Sequence, residues 1–344
     1  MIYNIKNKYY KMKIVAIGDP HFMTKNIPEV EIFIDKLLNL IKIENPDLIV
    51  MLGDLLHEHE RIHTIPLNIA YNFIKKLSNE CHTYCIVGNH DYINNQQFLT
   101  DNHWMNAMKD WDNVTIVDRV ISEHNLLFCP YVPPGRFMEA IGSSLTDNIK
   151  AIFAHQEFFG CKMGAIVSVE GDKWSLDNPV IISGHIHSNQ KPQENIYYPG
   201  SSLQHAFGES EKNIIPVISF SENNYEIREE DLGLTRKKIL YVDIENIDDL
   251  KLPNTKDKLK IKLSGNYEEF KVFKKTQKYK ELSKKGIKIV YKHKKIEEEK
   301  ININSSDFLK IIHNLVENEK DNLLLSDYNY IFFNRKKNEE IILI

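Results

Sequence analysis

Residues 180–187 read VIISGHIH. An apolar run of strand length stops at a glycine, and two histidines, His185 and His187, follow one residue apart. A short, continuous apolar run bounded by a turn signal is the pattern of a strand buried on both faces. Side chains just beyond the end of such a strand lie on the sheet edge where ligands collect in α/β proteins. Two imidazoles there are either ordinary turn residues or part of a site, and the rest of the chain decides between the two.

The same arrangement recurs through the first two hundred residues. KIVAI (13–17) runs into GDPHF (18–22), DLIVML (47–52) into GDLLH (53–57), and TYCIV (83–87) into GNHD (88–91). A strand over 150–154 runs into His155, and further strands are expected at 114–117, 126–129 and 180–183. Between them, residues 27–44 show helical periodicity, with Val30, Phe33, Ile34, Leu37, Leu38 and Ile41 on one face and Pro28 in the first turn. Residues 66–78 read as a second helix. Strands alternating with helices predict a sheet core flanked by helices. After residue 235 the pattern changes. A strand at 258–263, an amphipathic helix over about 266–283 with Tyr267, Phe270 and Phe273 spaced by three, and a strand at 287–292 predict a small α/β unit. The expected organisation is an N-terminal extension (1–11), a main domain (12–235), a capping domain (236–304) and a C-terminal helical segment (305–344).

Composition narrows the class. With 42% hydrophobic and 27% charged residues over 344 positions, the chain reads as an ordinary globular protein of about two domains. No apolar run approaches the ~20 residues that span a bilayer, and the N-terminus lacks the apolar core of a signal peptide, so no membrane partner is expected. Cys81, Cys85, Cys129 and Cys161 form neither a zinc ribbon nor a C-x-x-C pair. They read as reduced thiols of an intracellular, cytoplasm-like compartment, with a nucleus or a viral replication site as alternatives. The net charge of −4 is unevenly spread: residues 251–300 hold 17 lysines against 7 acidic residues. Such a segment is a solvated face or a surface that attracts a polyanion.

Five strand ends thus carry metal-competent side chains: Asp19 and His21, Asp54, Asn89 and His90, His155, and His185 with His187. Carboxylate, amide oxygen and imidazole without thiolate suit divalent Mn, Fe or Zn in a working site rather than a structural zinc. Seven candidate ligands exceed the needs of one ion but suit two ions sharing a carboxylate. Such a pair activates water and clamps the attacking and leaving oxygens of an in-line phosphoryl displacement.

The ordered set D-x-H, G-D-x-x, G-N-H-D, a lone histidine after a strand and G-H-x-H resembles the calcineurin-like metallophosphoesterase superfamily, over residues 13 to about 205. The resemblance implies an α/β fold: a four-layer α-β-β-α sandwich with a small C-terminal α/β capping domain. It implies that Asp19, His21 and His187 hold one metal, that Asn89, His155 and His185 hold a second, and that Asp54 bridges. The ions would be two divalent cations, Mn2+ first, with Fe, Zn or Mg as alternatives. His90 would touch the scissile phosphate, and Asp91 would orient His90. YYPGSSLQHAFGE (197–209) and His57 are further similar to DNA double-strand-break repair nucleases, the SbcD-type and phage recombination-endonuclease subunits. That likeness implies a DNA substrate, a DNA-end role for His57 and an SMC-like coiled-coil ATPase partner. A homodimer is a further expectation. The C-terminal stretch SSDFLKIIHNLVENE, with Phe308, Ile311, Ile312 and Leu315 on one helical face, would dock on the partner or on its own domain. His205 either faces the site or follows a turn, and Tyr92 either stacks on a base or packs locally. Two other functions stay open: a phosphatase or nucleotide phosphodiesterase, and a scaffold without catalysis, which the full ligand set disfavours.

Overall fold

The computed structural model describes residues 12–292 other than Glu60 and Asn223, together with a few positions between 312 and 326. The expected N-terminal extension, the end of the capping domain and nearly all of the C-terminal segment lie outside the described residues.

In chain order the main domain comprises β1 (Met12–Ile17), α1 (Ile27–Glu44), β2 (Leu48–Met51), α2 (Thr64–Glu80), β3 (Thr83–Ile86), β4 (Val114–Val117), β5 (Ile121–Glu123), β6 (Leu126–Cys129) and α3 (Phe137–Ile141). It continues through β7 (Ala151–His155), β8 (Lys162–Met163), β9 (Ile166–Val167), β10 (Val180–Gly184), β11 (Gln190–Gln193), β12 (Ile196–Tyr198), β13 (Ile215–Phe220) and β14 (Tyr225–Glu230). Two six-stranded sheets result, in the orders β14-β13-β1-β2-β3-β4 and β11-β12-β10-β7-β6-β5. Their central strands are parallel, as in β1–β2 and β7–β10, and antiparallel strands close three of the four edges, β4 lying parallel to β3.

The period-two alternation of side chains explains why the central strands are apolar throughout. In β1, Ile14 and Ala16 face the other sheet, and Val15 and Ile17 face the helices. The same division places Val50 and Leu52 inside and Ile49 and Met51 under α1 and α2. Phe128, Phe153 and Ile182 meet them from the second sheet, forming the layer between the sheets. The outer face of the second sheet is covered by α3 and its flanking loops, through Phe137, Ile141, Phe158 and Trp174. This is the mixed α/β sandwich expected.

A separate unit follows: β15 (Lys237–Asp243), β16 (Lys258–Ser264), α4 (Tyr267–Phe273), α5 (Gln277–Lys284) and β17 (Lys288–Tyr291). Its three strands form a parallel sheet in the order β15-β16-β17 around Ile261, Leu263, Phe270, Phe273 and Leu282. Two features differ from expectation. Strand β15 adds a third member, and the single helix of 266–283 is two helices. The break lies at Thr276, whose hydroxyl oxygen accepts from Tyr279 N and caps α5, while the Thr276 hydroxyl donates to Phe273 O. A side chain that bonds its own backbone this way competes with helix continuation.

Candidate metal centre

The parallel strands of both sheets end on one edge, and there the distant motifs meet. Asp19 and His21 follow β1, Asp54 follows β2, Asn89 and His90 follow β3, His155 ends β7, and His185 and His187 follow β10. The structure brings all seven expected metal ligands together, with His90 beside them. Oδ2 of Asp54 lies 3.4 Å from Nε2 of His21 and 3.4 Å from Nε2 of His155. On one side of it, the Nε2 atoms of His21 and His187 stand 3.0 Å apart. On the other, Oδ1 of Asn89 is 2.9 Å from both His155 Nε2 and His185 Nδ1. Asp54 is therefore shared by two groups of side chains, and Oδ1 of Asp19 takes the backbone N–H of His185 at 2.8 Å.

Crowding this many polar groups demands unusual backbone. Asp19 (φ 38°), His21 (φ 43°), Asp54 (φ 52°) and His185 (φ 80°) all occupy the left-handed region. Non-glycine residues there carry strain of order 1–3 kcal/mol each, typical of functional sites. Glycine is obligatory beside them. A Cβ on Gly184 would fall 2.4 Å from Leu52 O, and one on Gly88 would fall 2.2 Å from Oδ1 of Asp54.

The donor set fits a divalent cation. His155 Nδ1 is 2.7 Å from the Leu52 carbonyl, which can only accept, so Nδ1 carries the hydrogen and Nε2 presents a lone pair. That lone pair faces two further acceptors, Asn89 Oδ1 and Asp54 Oδ2, in a buried space. Asn89 keeps its oxygen inward because its Nδ2 donates to Asn95 Oδ1. Oδ2 of Asp19 is buried without a hydrogen-bond partner among the described residues. Acceptors turned on one another need a positive charge between them. Burial alone would lower the His155 pKa, but Asp54 and Asp19 push it up to about 9, so the ring takes a proton when no other cation is there. Burial raises the Asp19 carboxyl to about 6. Burial also opposes the charge on Asp54, yet His155, His21 and His90 hold it well below the ordinary range. Burial drives His185 down to about 3 and His21 well below its usual value, keeping both rings neutral and able to ligate.

A second row of histidines stands over this cluster. His57 Nδ1 is 3.4 Å from His21 Nδ1, and the His90 ring stacks between His57 and His59, with centroids 5.5 and 4.3 Å away. His90 Nδ1 donates to the His57 carbonyl at 2.6 Å, and His90 N donates to Oδ1 of Asp54 at 2.8 Å. Burial lowers the His90 pKa, against the raising effect of Asp54 and the His57 carbonyl.

One expectation needs correction, and the open choice for Tyr92 falls to local packing. Asp91 does not orient His90: its carboxylate turns into the core and accepts from Gly88 N, Trp104 Nε1 and Leu56 N. It braces the GNHD turn, and the His57 carbonyl holds the His90 ring instead. Tyr92 is fully buried, with its ring against His103, and is closed to any base. His59 is a residue that sequence reasoning left outside the site, and His205, left open between the site and a turn, faces it. His205 lies 4.9 Å from the His21 ring and 5.3 Å from the His187 ring. Neither sits at a strand end, where the metal-competent motifs lie. A groove of ≈ 380 Å³, lined by His185, His187, Lys162, Ser188, Glu209 and Ser210, opens from the cluster.

Comparison with known proteins agrees with this geometry. The pattern of the calcineurin-like phosphoesterases matches residues 12–211, which contain every strand-end motif. The chain belongs to this family. Two viral relatives cover most of it. A protein named as a phosphoesterase, 078R of Invertebrate iridescent virus 3, is 48% identical over 295 residues, 83% of this chain and 85% of its own. Another so named, 244L of Invertebrate iridescent virus 6, is 49% identical over 279 residues, 77% of this chain and 98% of its own. As a calcineurin-like phosphoesterase the chain is an enzyme of phosphoester hydrolysis, and its aspartate–histidine cluster is compatible with the divalent ions such enzymes use. No helix among the described residues is long and apolar enough to cross a membrane.

Proposed function

We propose that this phosphoesterase is a binuclear, metal-dependent nuclease that hydrolyses phosphodiester bonds of DNA, with Mn2+ as its working ion. The observation that carries the reading is the His57–His90 pair above the cluster. A diester expels an alkoxide, a poor leaving group, and its departure gains most from a positioned proton donor. With His90 Nδ1 committed to the His57 carbonyl, Nε2 is the nitrogen left to exchange a proton. An anionic phosphodiester beside the ring favours its charged form.

Asp19, His21 and His187 would hold one ion, Asn89, His155 and His185 the other, and Asp54 both, and ions so held would activate water and neutralise charge on the phosphoryl oxygens. The chain's own groups do the positioning. The Leu52 carbonyl keeps His155 Nε2 inward, Asn95 orients the Asn89 amide, and His90 N fixes the Asp54 carboxylate. His90 then passes a proton from Nε2 to the leaving 3′-oxygen, with His57 beside it facing the DNA end.

The lysines of the small unit support a polyanionic substrate. Lys258, Lys285 and Lys288 line a groove of ≈ 740 Å³ that also contains Phe207 from the 197–209 stretch, and Lys260 lies 5.6 Å over the Phe207 ring. An SMC-like ATPase subunit and a second copy of this chain are the partners we propose in recombination or break repair. Cys81, Cys85, Cys129 and Cys161 are all free, in keeping with work in a reducing compartment.

Purified protein with Mn2+, given labelled linear DNA beside a generic phosphate monoester, tests the reading. DNA degradation that His90→Ala and Asp54→Ala abolish is the expected result. Monoester turnover with intact DNA would move the assignment to a phosphatase.

A further inference from the structure

The segment after the GHIH turn binds the loops of the cluster to one another. Ser201 N donates to His187 O at 3.0 Å, and Ser202 N donates to Gly18 O at 2.7 Å. The approach is close enough that a Cβ on Gly18 would lie 2.3 Å from Gly200 O. From the same segment His205 reaches back, with Nε2 3.0 Å from the Asp19 carbonyl oxygen and 2.9 Å from Ser201 Oγ.

These partners settle the tautomer. A carbonyl oxygen only accepts, so Nε2 carries the hydrogen. The Ser201 hydroxyl donates to Leu203 O at 3.0 Å, so its oxygen is free to accept from the same Nε2–H. The neutral ring therefore leaves Nδ1 as a lone pair, and that atom is buried with no partner among the described residues. The other end of the segment is held by the small unit. Lys237 N donates to Gln204 Oε1 at 2.6 Å, and Gln204 Nε2 donates to Lys237 O at 3.1 Å.

The residue gripped by His205 is one of the strained ones. Asp19 sits at φ 38°, its Oδ1 is taken by His185 N, and its Oδ2 has no hydrogen-bond partner among the described residues. A left-handed aspartate persists only where its surroundings over-determine it. We propose that His205 is a positioning residue for the metal centre: its Nε2–H bond to the Asp19 carbonyl holds the backbone turn that keeps the Asp19 carboxylate in the cluster. The residue thereby sets the affinity for the ion shared with His21 and His187. The proposal rests on the two-metal reading of the site.

Mn2+ alone, titrated calorimetrically into chelator-stripped full-length protein, tests it, with wild type, His205→Ala and His205→Gln compared. Glutamine is chosen because its terminal N–H can replace the Nε2–H. Loss of an outer partner of a metal ligand costs about 10–100-fold in affinity, so His205→Ala should weaken one of the two binding events by that factor. His205→Gln should restore most of it. Thermal melts of the stripped proteins check that both variants fold, and should His205→Ala fail to do so, the Gln variant and Ser201→Ala, which keeps the Asp19 bond, should both bind like wild type. His205→Ala binding both ions as tightly as wild type would overturn the proposal. So would a folded His205→Gln as weak as the alanine variant, because the role would then belong to Nδ1. Wild type that takes up no Mn2+ would overturn the two-metal reading itself, whatever the variants do.

Discussion

Nε2 of His155 stands 2.9 Å from Oδ1 of Asn89, lone pair toward lone pair, because the Leu52 carbonyl has already claimed the other ring nitrogen. This contact is favourable only with a bound ion beside it or a proton on Nε2. Removing divalent ions should therefore destabilise the protein, and Mn2+ should restore it. An ion at a hundred times its dissociation constant adds about 2.7 kcal/mol, or roughly 5–10 °C in melting temperature for a domain of this size. Asn89→Ala should shrink that shift. A melting curve indifferent to chelator and to Mn2+ would argue against any cation here.

His90 is held by its Nδ1, meets the ring of His21 only edge-on at 4.8 Å between centroids, and reaches Asp54 through its backbone N–H. His90→Ala should lower turnover by about 10²–10⁴-fold while leaving the number of bound Mn2+ ions at the wild-type value. Metal analysis alongside single-turnover kinetics separates the two. Loss of metal in step with activity would show that the ring supports the cluster rather than the chemistry.

Gly88 leaves no room for a side chain, since a Cβ there would lie 2.2 Å from Asp54 Oδ1 and 2.4 Å from Asp54 N. Gly88→Ala must push Asp54 away. The expected cost is about 1–3 kcal/mol of stability, the range for an overpacked interior, together with weaker binding of both ions. Calorimetric Mn2+ titration beside a denaturant melt reads each part, and unchanged affinity would mean that the loop gives way elsewhere.

Away from the centre, buried Asp118 accepts from Lys109, His103 and Arg119. Burial raises its pKa, but these three hydrogen bonds outweigh burial and hold it below the ordinary carboxylate value. Folding then favours the carboxylate, so the stability it contributes is complete above about pH 4 and lost as pH falls through the lower folded value. His103 acts at higher pH. Burial lowers its pKa below 6.5, so its stabilising effect is present above that value and erodes as pH falls from it. Asp118→Asn should cost about 1.5–3 kcal/mol at pH 7, the value of hydrogen bonds to a charged group, and should flatten the curve below pH 4. Denaturant melts from pH 3 to 8 would show both limbs, and an acid limb unchanged in the variant would assign it to other carboxylates.

The lysines of the groove beside Phe207 give the DNA reading its own test. Lys285→Ala and Lys288→Ala should weaken DNA binding to a similar extent on every sequence, and each should reduce the slope of log K against log salt by about 1 if it meets a phosphate. A slope equal to that of the wild type would place the nucleic acid elsewhere.

Much of this molecule could be read before it was folded. Apolar runs ending in G-D, G-N-H-D and G-H-x-H state both the buried parallel strands and the edge on which their polar ends collect. Period and turn chemistry are local properties, so α1 appeared at Ile27–Glu44, where the pattern 27–44 placed it. Chain-local signals fail where a side chain has a choice of partners. Asp91 could brace its own turn or reach His90, and only the packed Trp104 and Gly88 N–H groups decided for the turn. Thr276 could continue a helix or cap a new one, and the choice followed from the core that Phe273 and Leu282 enter. His205 lies in the 197–209 stretch, where nothing local tells whether its ring faces the site or follows a turn. Its place beside Asp19 exists because a close approach of Gly200 to Gly18 brings two remote segments into contact. The sequence by itself determined which residue types stand at the strand ends. The tertiary structure alone decided which of their atoms face one another, because hydrogen-bond direction and ring tautomer are set by neighbours far away in the chain.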